Sequence, residues 1–258
     1  MATTIHPSAI VHSDAEIGDG CEIGPYCVIG SQVRLGPGNR LQSHVVLDGH
    51  TTLGRDNEIF PFACLGGRTQ DLKWQGGIAR VEIGDHNTLR EYVTVHAATS
   101  DGGVTVVGSH NNLLAYTHVA HDCHLGNHII MSNLAQIAGH VVIEDFAILG
   151  GMSAIHQFSR VGRLAMVAAC TPIRRDVAPF MLVSGDPAET LKANVIGLER
   201  AGLDPEVIRV LGQAHRILFR EGLSTPNALA KLEAELPSGP ELQHLIQFVR
   251  TSERGVTK

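Results

Sequence analysis

Three histidines, an aspartate and a cysteine fall within nine residues of the run HVAHDCHLG, His118 to Gly126. Two kinds of chemistry suit such a cluster. Three neutral imidazoles with an open position would hold zinc and activate a bound water. Alternatively, one histidine near neutral pKa, oriented by a carboxylate and faced by hydrogen-bond donors where an oxyanion develops, would move protons in a group transfer. The groups for the second are His121, Asp122 beside it and the Gly139–His140 backbone. His96, His118, His140 and His156 are the other histidines able to share a groove with them.

What positions these residues is a repeat of six. Counting from Ile5, every sixth residue to Leu65 is Ile, Leu or Val; the same phase resumes at Ile83, Leu89 and Val95, and again from Val107 to Ile173. Of 26 such slots only Met131 departs from those three types. Many slots are followed by glycine, as in IGDGCE and IGPYCV. An ordinary sandwich would show period two with irregular turns. A phase of six kept for most of the chain predicts a parallel β-helix, with three hexapeptides per coil and about nine coils. Equivalent slots then stack along one axis, so histidines far apart in sequence can line one vertical groove.

Two breaks interrupt the ladder, near 66–82 (GGRTQDLKWQGGIARVE) and 97–106 (AATSDGGVTV). Loops that leave a regular solenoid are favoured places for function, and the first holds the only tryptophan, Trp74, near Asp71 and Lys73. Past Ile173 the period changes. Val207, Val210, Leu211, Ala214, Ile217 and Leu218 share a helical face, Asp204-Pro205 reads as an N-cap with proline in the first turn, and Gly222 ends that helix. The expected organisation is a β-helix over 1–186 and a small helical domain over 187–258.

At 258 residues the chain can bury a full core. Its 20 basic and 26 acidic residues leave a net charge of −6, which argues against a nucleic-acid surface. No apolar run approaches bilayer length and no leader is apparent, so a cytoplasmic chain without stable membrane insertion is expected. Cys21, Cys27, Cys64, Cys123 and Cys170 are odd in number and contain no CxxC pair, as reduced thiols would be. A solenoid of this kind exposes flat faces, so a closed homo-oligomer with sites between subunits is expected, and a homotrimer matches the triangular section.

The runs SHVVLDGHTTLGRDNEIFPFACLG, QDLK, RVEIGDHNTLREYVTVH, HVAHDC, IAGH, FAILGGMSAIHQF and NVIGLERAG together resemble the UDP-N-acetylglucosamine O-acyltransferase family of lipid A biosynthesis, over nearly the whole chain. The resemblance implies left-handed winding of the β-helix. It also implies transfer of a 3-hydroxyacyl chain from acyl carrier protein to the sugar 3-hydroxyl of UDP-N-acetylglucosamine, with no external cofactor and no metal. Carried over residue by residue, it places the general base on His121, its orienting carboxylate on Asp122 and the oxyanion amide on Gly139. Substrate contacts fall on Asp71, Lys73, His96, His118, His140, His156, Gln157, Ala169 with Ala168, Asn194 and Arg200. A small residue at Ala169 implies a medium or long acyl chain.

Departures from the family pattern lie at Ile196, where an acid is usual, at Ala201, where a second arginine is usual, and at Ala97 of HAAT, where HRGT is usual. They leave room for a 3-amino sugar analogue as acceptor. A zinc protein resembling γ-class carbonic anhydrase is a further alternative, set against this chain's length, loops and tail. For the acidic carrier, Arg160, Arg163, Arg174 and Arg175 are the expected landing patch. His12, His44, His86, His110 and His128 read as histidines solvated on the outer face.

Overall fold

The computed structural model describes residues 2–258. Residues 4–173 wind into a left-handed parallel β-helix whose short strands form three sheets of nine, nine and eight strands. From Ile23 to Ile173 every slot of the six-residue period is at most 4% exposed. Each buried branched aliphatic contributes about 1.5–3 kcal/mol, so the interior column is the main stabilising element. The outermost coil is thinner: Ile5 is 47% exposed and Val11 and Ile17 are half-buried.

Register explains why the period survives its interruptions. Paired residues lie 18 apart at Thr4 and Glu22, 30 apart at Glu58 and Thr88, and 24 apart at Thr88 and Asn112. The two insertions therefore lengthen their coils by 12 and 6 residues, both whole multiples of the repeat, and every slot returns to the interior. A buried ladder crosses the same coils. Asn57 donates its side-chain amide to Asn39 Oδ1, Asn87 donates to Asn57 Oδ1, and the Asn111 N–H donates to Asn87 Oδ1. Satisfied buried amides hold a register firmly because any slip orphans them.

The irregular segments are shorter than the breaks in the period. Strands run on through Cys64–Gly67, Arg80–Ile83 and Val104–Val107, leaving loops at 68–79 and 97–103. The strands His50–Leu53, Arg80–Ile83 and Val104–Val107 pair over four residues, and Thr51, Val81 and Thr105 fill an extra interior position at 0% exposed. Alternation of period two, hidden inside the six-residue repeat, produces them.

A β-hairpin, Met181–Ser184 with Glu189–Ala193, closes the solenoid, and four helices follow: α1 (Val195–Arg200), α2 (Pro205–Phe219), α3 (Thr225–Glu235) and α4 (Pro240–Arg250). Their apolar faces form a second core that includes Leu164, Phe180 and Met181 from the last coils. Arg160 joins the two parts. Its guanidinium donates to Asp176 Oδ2 (3.1 Å) and the Phe248 carbonyl (2.8 Å), and it lies over the Phe248 ring at 4.1 Å.

Candidate active site

Three successive coils turn at one corner through His121–Asp122, Gly139–His140 and Gln157–Phe158. The second residue of each pair takes a left-handed φ, between 58° and 63°, a region in which Asp and His are tolerated more readily than most residues. The stacking is direct: the His140 N–H donates to the His121 carbonyl, and the Phe158 N–H to that of Gly139. Both loops leave the solenoid at this corner, after strands Cys64–Gly67 and Thr94–His96 of the sheet that also carries His118. The 12 and 6 extra residues thus wall one site.

His121 Nδ1 lies 2.8 Å from Asp122 Oδ2. A carboxylate only accepts, so the proton sits on Nδ1 and Nε2 presents a lone pair outward. Asp122 is itself held: its Oδ2 accepts the Thr99 N–H at 3.0 Å, and its own N–H donates to Thr105 Oγ1 at 2.8 Å. Gly139 lies against the imidazole. A Cβ there would collide with His121 Cε1 and Nε2, so the ring's position requires glycine. The Gly139 N–H has no acceptor among the described residues.

A cavity of about 620 Å³ opens over this corner, lined by Asp71, Lys73, His96, His118, His121, Gly139 and Gln157 among others. A second, of about 370 Å³, lies across the 68–79 loop and takes in Asp71, Lys73, Thr99, Asp101 and His140. Asp71 divides them. Its Oδ1 accepts the Lys73 N–H and its Oδ2 stands 3.9 Å from His121 Nε2, too far for a hydrogen bond. His118 meets Thr94 Oγ1 at 2.7 Å; burial, aided by His96 and His121, pushes its pKa down to about 4, so its imidazole is neutral. Burial also lowers His96, with His121 adding to the effect. His121, Asp122 and His140 have ligand atoms within 4.8 Å of one another, close enough to share a metal ion.

A curated relative from Thermodesulfovibrio yellowstonii, an acyl-[acyl-carrier-protein]--UDP-N-acetylglucosamine O-acyltransferase, is 46% identical over 255 residues, covering 98% of this chain and 99% of its own. The chain belongs to the UDP-N-acetylglucosamine O-acyltransferase family. A family model for the second domain of these acyltransferases matches residues 176–257, and one for the bacterial transferase hexapeptide matches 2–31 and 14–49. The LpxA structure from Acinetobacter baumannii is 42% identical with a TM-score of 0.95, covering 98% of this chain and 99% of its own. That from Bacteroides fragilis, described as a UDP-N-acetylglucosamine acyltransferase, is 38% identical with a TM-score of 0.97, covering 99% and 100%.

Within one chain this corner gathers only part of what the sequence suggested. His156 is exposed one coil beyond Gly139, its Nδ1 near the Gln157 carbonyl. Ala168 and Ala169 turn at a different corner, stacked on Gly150–Gly151, and line neither cavity. Asn194 is 8% exposed and committed to the fold: it caps α1 by accepting the Gly197 N–H and donates to the Leu164 carbonyl. Arg200 is exposed on α1, where Ile196 is 61% exposed and Ala201 is the C-cap.

The expected landing patch needs correction at Arg160, whose guanidinium is spent on Asp176 and Phe248 and is not free for a carrier. Arg163 is half-buried beside Phe180. Arg174 and Arg175 do come together, with Lys258, around a surface pocket of about 230 Å³. Thr69, Thr99 and Thr105 were missed by sequence reasoning. The whole-repeat insertion lengths were the available signal, because they place both loops on one corner.

Proposed function

We propose that this chain transfers a 3-hydroxyacyl group from acyl carrier protein to the 3-hydroxyl of UDP-N-acetylglucosamine, the opening step of lipid A biosynthesis. The observation that carries the reading is His121, its Nδ1 held by Asp122 and its Nε2 facing a loop-walled cavity, in a member of this family. His121 Nε2 takes the proton as the sugar oxygen attacks the thioester carbonyl. The carbonyl π electrons move onto oxygen, and the Gly139 N–H supports that charge. The tetrahedral intermediate collapses, the C–S bond breaks, and the leaving thiolate takes back the proton held on His121. Asp122 keeps the imidazole in its Nδ1–H tautomer and stabilises the cation formed in passing. His118, neutral across the working pH range, is suited to hydrogen bonding rather than charge. No external activation is required, since the thioester supplies the leaving group.

Asp71 and Lys73 bind the sugar nucleotide, with His96, His140, His156 and Gln157 completing the groove. The cavity is open on one side, and Ala169, Asn194 and Arg200 lie away from it in the same chain, which supports a homotrimer whose neighbouring copy supplies them. Arg174 and Arg175, on the corner of His121 about 14 Å further along the axis at one strand spacing per coil, receive the acidic carrier. Among the described residues no helix is long and apolar enough to cross a membrane. The proposed activity puts the enzyme in the cytoplasm with its carrier-protein and sugar-nucleotide substrates.

The test is acyl transfer from a ladder of 3-hydroxyacyl carrier proteins to UDP-N-acetylglucosamine, wild type against His121→Ala. Chain-length-dependent product that disappears in the variant is expected. A wild type inert with this sugar but active with its 3-amino analogue would instead show that Ile196, Ala201 and Ala97 have changed the acceptor.

A further inference from the structure

Asp122 is tied to more than the imidazole, and the ties form a ring. His121 Nδ1 donates to Asp122 Oδ2, which accepts the Thr99 N–H. Thr99 Oγ1 meets Thr69 Oγ1 at 3.0 Å. Thr69 Oγ1 accepts the Asp71 N–H at 3.1 Å. Asp71 Oδ2 returns to within 3.9 Å of His121 Nε2. The two threonine hydroxyls therefore bridge, side chain to side chain, the loop that carries Asp71 and the loop that holds Asp122, while Asp101 Oδ1 accepts the Ile78 N–H at the far end of the same loops.

The ring is rigid where it needs to be. The loops are pinned to each other at their feet, with the Ala97 N–H donating to the Gly67 carbonyl at 2.9 Å and the Gly102 N–H to that of Ile78 at 2.7 Å. Thr69 is 6% exposed, whereas Leu72, three residues on, is fully exposed at the loop tip. An exposed tip is thus joined to a buried hydroxyl. Movement of Asp71 toward a ligand must act on the Thr69 oxygen that receives its N–H, and from there on Thr99 and the carboxylate that orients the base.

Resting on the reading of His121 as general base, we propose that Thr69 and Thr99 are positioning residues for acyl transfer, coupling the placement of Asp71 to the orientation of the His121–Asp122 pair. Neither touches the reacting atoms. Thr69→Val and Thr99→Val remove the hydroxyl and keep the shape; Ser variants keep the hydroxyl and lose a methyl. In a double-mutant cycle each Val variant is expected to lower kcat about tenfold, roughly the value of one hydrogen bond, and the double variant no more than either alone. KM for the acyl carrier protein should stay unchanged, and each Ser variant should recover most of the lost kcat with thermal midpoints near wild type.

Losses that multiply in the double variant, a rise in sugar KM alone with kcat intact, or Ser variants as slow as Val would overturn the coupling. These outcomes are separable from failure of the underlying reading. An inert wild type, or a fully active His121→Ala, removes the base and the ring together; an active wild type and a dead His121→Ala with independent threonine losses removes the ring alone.

Discussion

Two sets of histidines on the same solenoid show how little the residue type decides. His86, His110 and His128 occupy one corner on successive coils and stack nearly parallel, with ring centroids 4.9 Å apart at each step and interplanar angles of 14° and 4°, and Phe146 continues the column at 4.6 Å. The cluster at the other corner is arranged edge to face: His121 meets His140 at 90° and His96 meets His118 at 79°. In the first column the nearest carboxylate is Asp56, 3.9 Å from His86. In the second, His121 Nδ1 is 2.8 Å from Asp122 and the ring rests against Gly139. A coil repeat places like residues in register, and identical rings then stack as an outer ladder. The corner proposed for catalysis is the one where a glycine, a carboxylate and two loops interrupt that ladder.

Substitution should separate the two columns sharply. His121→Ala is expected to cost about 10²–10⁴-fold in kcat with acyl carrier and sugar substrates, while His110→Ala leaves kcat within about twofold, as general-base loss and surface change respectively predict. Equal losses would erase the distinction. Gly139→Ala is predicted to approach the His121→Ala defect without unfolding, because the new methyl occupies the ring's place; steady-state rates together with circular dichroism check this. Asp122→Asn should lower kcat about 10²-fold or more through loss of the carboxylate that selects the tautomer, with sugar binding measured by calorimetry little changed.

Smaller effects concern stability. Arg160→Ala uncovers the buried Asp176 carboxylate, which is 2% exposed. A cost of about 3–5 kcal/mol is expected for stranding a buried charge, seen in chemical denaturation as early loss of the helical part. The acid limb of stability is the finest discriminator. His118 has a folded pKa of about 4, below its unfolded value, so its contribution is complete above pH 6.5 and is lost as pH falls from 6.5 toward 4. The thermal midpoint of His118→Gln should fall less steeply than wild type over that window.

Much of this was legible in the residues. The six-residue phase predicted the interior column, and the family resemblance pointed to His121, Asp122 and Gly139. Asp71, Lys73, His96, His118 and Gln157 do meet around one cavity with His121 and Gly139. Arg160 misled because a basic residue on a late coil looks alike in sequence whether it faces solvent or a helix nearly ninety positions away. Asn194 shows a different limit: a polar residue before a helix looks alike in sequence as ligand contact or N-cap, and within one chain it caps α1.

By itself the sequence determined what repeats: a buried aliphatic every sixth residue forces strands into stacked coils, because only that winding buries them all. It also named the side chains able to carry proton chemistry. Only the tertiary structure decided which of them meet. Corners of a solenoid are equivalent in pattern, and their difference comes from where 12 and 6 extra residues emerge and what those residues touch. The Thr69–Thr99 contact, the glycine under the imidazole and the burial of Arg160 are long-range packing facts. No local period encodes them, since each depends on chain segments brought together by register rather than by adjacency.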